Sequence, residues 1–127
     1  MLGLGTGESG QTIRGANMGA LSNYVAKRWG VKTRSVENPE TDTAVAGVTL
    51  ILRNNPDRFE FIVVNYDAVL MRVAPSRDVS ATFGIPLDAE GGFAVITADD
   101  DGEAVGQEWF VYSAAGGLFY VLETKAG

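Results

Sequence analysis

Leu50-Ile51-Leu52-Arg53-Asn54-Asn55-Pro56-Asp57-Arg58-Phe59-Glu60-Phe61-Ile62-Val63-Val64-Asn65-Tyr66 decides the fold. An apolar strand runs into an Asn-Pro-x-Arg corner, a second apolar strand leaves it, and an asparagine ends that strand. Pro56 sets its own φ and pushes Asn55 out of the helical region. Asn54 and Asp57 have short polar side chains that bond nearby backbone groups, so the corner reads as a turn between strands. Ion pairs Asp57–Arg58 or Arg53–Asp57 are expected at its surface, where they would be worth little.

Working outward, short apolar runs recur with turn signals between them. Strands are expected near Ala46–Leu52, Phe59–Asn65, Val69–Ala74, Gly92–Thr97, Glu108–Ser113 and Leu118–Glu123, with a short addition at Ile85–Leu87. Val, Ile, Phe, Tyr and Trp dominate these runs, as a half-buried pleated surface prefers. The punctuation is Tyr66-Asp67-Ala68, Ala89-Glu90-Gly91-Gly92, Asp99-Asp100-Asp101-Gly102 and Ala114-Ala115-Gly116-Gly117. Six or seven strands at this spacing predict an all-β antiparallel sandwich or jelly roll over residues 46–127.

Alternation is most informative where it fails. Phe59, Phe61 and Val63 are expected on one side of their strand, and Glu60, Ile62, Val64 and Tyr66 on the other, which starts polar and turns apolar. Phe110 and Tyr112 lie opposite Trp109 and Val111, and Leu118, Tyr120 and Leu122 lie opposite Phe119 and Val121. Strands apolar on both faces want cover on both faces, and a domain of about 80 residues has one core to offer. Ile62, Val64, Phe110, Tyr112 and Tyr120 are therefore expected at a partner interface, with self-association the simplest cover; packing against the N-terminal helix, or burial of strand ends under loops, is the alternative.

The first 45 residues differ in composition. From Met1 to about Gly15, glycines are spaced among small polar residues, the signature of an arm with little to bury. Asn17 is a suitable helix cap, and Met18, Leu21, Tyr24, Val25 and Trp29 form one helical stripe. Lys27 and Arg28 suit the last turn of that helix and Gly30 its end. This short helix, about residues 17–29, has too few core partners of its own, so its stripe joins the expected interface residues. Val31 to Thr43 reads as a polar connector containing Pro39.

Composition narrows the function. The chain of 127 residues carries a net charge of -6 and has neither histidine nor cysteine. That removes disulfides, Cys/His zinc sites, Ser-His-Asp and Cys-His catalysis and the commonest general base. Lys27, Arg28, Lys32 and Arg34 form the only basic cluster, too little for a nucleic-acid face on the main domain. No basic region leads into a long apolar run, and no segment approaches the ~20 apolar residues that span a bilayer. A soluble protein made in a cytoplasm is expected, with no membrane partner.

Three motifs invite chemistry. Gly5-Thr6-Gly7-Glu8-Ser9-Gly10 has dinucleotide-type glycine spacing, but only four residues precede it and Gln11 stands where a P-loop needs lysine. Counting from Thr97, residues Asp99, Asp101, Gly102 and Glu108 fall on calcium-loop positions, but Thr97 is not an acid and the flanks read as strands. A solvated hairpin turn is the expectation there. Asp88, Glu90, Asp99 or Glu108 could supply the carboxylate pair of a glycoside hydrolase, but that needs two acids across an aromatic-lined cleft, which a small sandwich with its acids in turns seldom supplies. No catalytic residue, cofactor or metal is expected.

Several stretches together carry a family resemblance. Asn55-Pro56-Asp57-Arg58 precedes Phe59–Val64 and Asn65-Tyr66; Val69–Ala74 leads into Pro75-Ser76-Arg77-Asp78-Val79-Ser80; Gly84-Ile85-Pro86-Leu87 precedes Gly91-Gly92; and Glu108-Trp109-Phe110-Val111-Tyr112-Ser113-Ala114-Ala115-Gly116-Gly117 leads to Tyr120-Val121-Leu122-Glu123. Over Val48 to Glu123 the chain resembles the small β-sandwich structural proteins of tailed bacteriophages, which occur as capsid decoration (cement) proteins and as head or tail fibre modules. The resemblance implies a virion location, a homo-oligomer, often a trimer about a local symmetry axis, and contact with the major capsid protein or other virion subunits. It implies no catalytic residues. The fibre alternative would use exposed aromatics near Tyr66, Phe83 and Phe93 to bind a host glycan.

Overall fold

The computed structural model describes residues 32–127. The glycine-spaced segment and the expected helix, with Met18, Leu21, Tyr24, Val25 and Trp29, lie outside the described residues. Within them the chain is all-β, as expected. Its strands are β1 (Thr33–Glu37), β2 (Thr43–Ala44), β3 (Gly47–Leu52), β4 (Arg58–Asn65), β5 (Met71–Ala74), β6 (Ile85–Leu87), β7 (Phe93–Thr97), β8 (Trp109–Ser113) and β9 (Gly117–Ala126). A single helical turn, α1 (Ala98–Asp101), and a 3-10 turn (Gly102–Gly106) join β7 to β8.

The strands form two sheets. The five-stranded sheet runs β1-β9-β4-β7, with β2 also on β9, and the four-stranded sheet runs β3-β8-β5-β6. Ser35–Lys125 is one compact unit. In the other unit the described residues are 32–34 and Ala126–Gly127, where the Gly127 N–H donates to the Lys32 carbonyl at 3.0 Å.

The core lies between the sheets. Phe61, Val63, Ile96, Phe119 and Val121 come from one sheet, and Leu52, Met71, Val73, Leu87, Trp109 and Val111 from the other. Phe61 and Trp109 meet edge to face, centroids 5.0 Å apart, a favoured aromatic geometry. Ile51 and Leu52 are both fully buried although adjacent, because the β3–β8 register shifts between Leu50 and Leu52. A bulge turns two consecutive side chains inward where a regular strand would alternate.

The sequence expectation missed two strands. Thr33–Glu37 and Thr43–Ala44, read as connector ahead of a sandwich starting at residue 46, pair with β9. β1 is polar, so it carries no apolar signal; its place rests on main-chain bonding. Asn38, at φ 43°, ends it: its N–H donates to the Val121 carbonyl at 2.8 Å and its Oδ1 accepts from the Val121 N–H at 2.8 Å. Asparagine tolerates this left-handed backbone better than most residues.

Candidate functional site

The Asn-Pro-Asp-Arg corner is exposed at Pro56 and Asp57 and anchored by the buried Arg58. Asn55 Oδ1 accepts from the Asp57 N–H at 3.0 Å, and the Arg58 N–H donates to the Asn55 carbonyl at 3.1 Å, closing the turn. Arg58 then points inward. Its Nε donates to Glu123 Oε2 at 2.7 Å, Nη1 to the carbonyls of Val105 and Gln107 at 3.0 and 2.9 Å, and Nη2 to the Arg53 carbonyl at 2.6 Å. The expected surface pairs with Asp57 are not formed: Arg58 pairs with buried Glu123 and Arg53 with Glu40 at 3.0 Å. The planar guanidinium fork satisfies four acceptors on three chain segments, which a lysine cannot do.

The asparagine that ends β4 is also structural. Asn65 is fully buried; its Nδ2 donates to the carbonyls of Val69 and Leu87 at 2.8 and 3.0 Å, and its Oδ1 accepts from the Asp67 N–H at 2.8 Å. Gly92 follows in the same knot. A Cβ there would lie 2.2 Å from the Asp88 nitrogen and 2.4 Å from its carbonyl oxygen, so only glycine fits.

The acidic stretch after β7 is helical, not the expected hairpin turn. Thr97 caps α1: its Oγ1 accepts from the Asp100 N–H at 3.1 Å, and Asp101 Oδ2 accepts from the Thr97 N–H at 3.0 Å. This reciprocal cap satisfies donors that a short helical turn leaves open, and carboxylates suit a helix start. Among the described residues no cluster of three or more His, Cys, Asp or Glu side chains suits a metal. Asp88, Glu90, Asp99 and Glu108 are all exposed. No described helix is long and apolar enough to cross a membrane.

What remains is the outer face of the five-stranded sheet. Cross-strand register aligns Phe93, Val64 and Tyr120 in one row, and Val95, Ile62 and Leu122 in the next. A third row holds Thr97, Glu60 and Thr124. Phe93 is 64% exposed and Val95 43%, while Ile62, Val64, Tyr120 and Leu122 are half-buried by their neighbours. No lysine or arginine interrupts these rows. Tyr66 stacks on Tyr120, centroids 6.2 Å apart, and the Tyr120 hydroxyl donates to Glu37 Oε2 at 2.5 Å. That hydrogen bond to a carboxylate, with some burial and the nearby Glu37 charge, raises the Tyr120 pKa above its ordinary 10.0.

The structure thus brings Ile62, Val64 and Tyr120 together and separates them from Phe110 and Tyr112. The latter two belong to the other sheet, where Ala74, Val79 and Phe110 are buried together, with Leu50 and Tyr112 packed against them. Arg77 lies over the Phe110 ring at 4.7 Å, and Arg72 donates to the carbonyls of Ala81 and Gly84 at 3.0 and 3.1 Å, strapping the β5–β6 loop over that face. Phe110 is 1% exposed and so presents no surface. Phe83 sits in that same loop, whereas Tyr66 and Phe93 flank the five-stranded sheet, so the aromatics named for glycan binding are divided between sheets.

Comparison with protein-family models, with curated proteins and with solved structures finds no match.

Proposed function

We propose that this chain is a non-enzymatic structural subunit of a tailed-bacteriophage virion, a capsid-decorating protein that works as a homo-oligomer against the major capsid protein or other virion subunits. The observation that carries the reading is the outer face of the β1-β9-β4-β7 sheet. Two aligned apolar rows without a cation form a contiguous patch, and such patches on small domains mark protein contacts. The motif resemblance over Val48 to Glu123 supplies the virion context. The absence of histidine and cysteine from the whole sequence agrees with a role in assembly rather than in catalysis.

Mass spectrometry of purified virions from the phage that encodes the chain tests the location: stoichiometric copies are expected, and absence overturns the reading. Sedimentation of the wild type and Ile62→Lys tests the face. A homo-oligomer that falls to a folded monomer, with only the loss of stability that dissociation brings, supports it; a wild-type monomer, with virion incorporation intact after deletion of residues 1–31, refutes it.

A further inference from the structure

The edge strand β7 lacks the protection its counterparts carry. Among the described residues β7 has a strand on one side only, β4. Proteins normally protect such edges with charge, proline, bulges or very short strands. The other terminal strands show these devices: β6 carries Pro86, β3 has the register shift at Leu50/Leu52, β1 carries Arg34 and Glu37, and β2 is two residues long. Phe93-Ala94-Val95-Ile96-Thr97 has none of them, and its two most exposed side chains are Phe93 and Val95.

The direction of its main-chain groups can be read from its two ends. The Gly92 carbonyl accepts from the Asn65 N–H at 2.8 Å, so it faces β4, whereas the Thr97 N–H turns to Asp101 Oδ2 at 3.0 Å. Antiparallel strands alternate in this respect. Ala94 and Ile96 therefore bond toward β4, and the N–H and C=O of Phe93 and Val95 face the open edge. The Asp101 carboxylate closes the edge at Thr97, which limits the open stretch to Phe93–Val95.

We infer that this edge pairs with the same edge of a second copy, antiparallel about a two-fold axis at Ala94. That register sets Phe93 against Val95 of the second copy and the reverse, each pair exchanging both of its main-chain hydrogen bonds. Aromatic with β-branched is a favoured cross-strand pair. The two-fold is isologous and closes at a dimer. It also joins the two outer faces, so the Phe93–Val64–Tyr120 and Val95–Ile62–Leu122 rows become one surface spanning both copies.

Charge tunes the contact. The same register brings the exposed Asp99 and Asp100 of one copy toward Glu90 of the other, like against like. Few hydrogen bonds and opposed acids predict a weak dimer, with a Kd of roughly 0.1–1 mM. They also predict an association that tightens as salt screens the acids. A contact driven by opposite charges would weaken instead.

The test is a concentration series of the full chain by sedimentation, with amide hydrogen exchange by NMR. Expected are a monomer–dimer equilibrium that tightens several-fold between about 50 and 500 mM NaCl, and protection of the Phe93 and Val95 amides that grows with concentration. Val95→Pro removes an outward N–H without removing a bond to β4, and Val95→Lys adds an edge charge. Both should be monomeric, and at least one should keep the wild-type melting temperature. A wild-type monomer at millimolar concentration, or unchanged exchange at Phe93 and Val95, overturns the inference. So does a dimer that survives in a folded variant. The inference shares only the outer face with the proposed function. A trimer lost in Ile62→Lys but kept in Val95→Pro would overturn the edge pairing and leave the virion reading standing; a β7 dimer in a protein absent from virions would do the reverse.

Discussion

Arg58 and Glu123 meet at 2.7 Å with side chains 1% and 4% exposed, linking the start of β4 to β9 inside the sandwich. Removing one partner of a buried ion pair strands the other charge, which typically costs about 3–5 kcal/mol. Arg58→Met should therefore lower stability by about that much in urea unfolding. Glu123→Gln should cost less, because the amide oxygen still accepts from Arg58. Arg58→Met combined with Glu123→Leu should recover only part of the loss, since the carbonyls of Arg53, Val105 and Gln107 still lack their donor. Full recovery in the double variant would show that the carbonyl contacts contribute nothing.

Asn65→Asp should be more damaging than Asn65→Ser. The aspartate would turn carboxylate oxygens toward the carbonyls of Val69 and Leu87, where the amide donated. Buried unsatisfied acceptors cost about 1–3 kcal/mol each. The difference should shrink in acid, as the carboxyl protonates and regains a donor. Melting temperatures of both variants at neutral and acid pH check this.

Gly92→Ala should destabilise by about 2 kcal/mol or more, because its Cβ would overlap the Asp88 backbone, which cannot swing aside as a flexible side chain would. Gly91→Ala meets no atom within 4 Å, but its φ of 117° disfavours an L side chain. It should cost about 1–3 kcal/mol through backbone strain alone. Equilibrium unfolding of the pair separates collision from strain.

Tyr120 should ionise above the ordinary tyrosine range, because its neutral hydroxyl is the form that donates to Glu37. A raised pKa stabilises the fold below pH 10, where the phenol is neutral in both folded and unfolded chains; the contribution is lost as pH climbs through the raised folded value. Glu37→Gln should bring the titration back toward 10.0, read from tyrosinate absorbance. No downward movement in that variant would mean the carboxylate is not the cause.

Ile62→Lys and Val64→Lys should leave the unfolding free energy of the monomer within about 1 kcal/mol of wild type, since both side chains point away from the core. Phe61→Ala, between them and buried, should cost about 3–5 kcal/mol. Similar losses at all three would mean that the outer face is packed in the same way as the inner one.

Much of this fold was legible because burial writes a period-two pattern. Phe61, Val63, Phe119 and Val121 alternate with half-buried or exposed neighbours as the sequence suggests, and the central strands lie within a few residues of their expected bounds. Polar β1 left no such pattern, because its place comes from main-chain bonds that every sequence can make. The Arg58–Glu123 pair was half visible: Glu123 continues the inward series Phe119, Val121, and an acid at an inward position demands a buried cation. What alternation could not reveal was which sheet each outer face belongs to. Ile62 and Phe110 share the apolar signature of an interface position, and only the pairing order puts them in different sheets.

That pairing order also has a temporal side. β9 lies between β4 on one flank and β1 with β2 on the other, so without it the five-stranded sheet falls into pieces that share no ladder. During synthesis, β1, β2 and β4 emerge without the strand that joins them, and Arg58 waits for a carboxylate encoded 65 positions later. Closure of this sheet depends on these non-local pairings, whose loop-closing cost is met before the contacts repay it. Until residues 117–126 leave the ribosome, the chain has β4 and β7 to shield from its neighbours, a period in which a chaperone has the most to do.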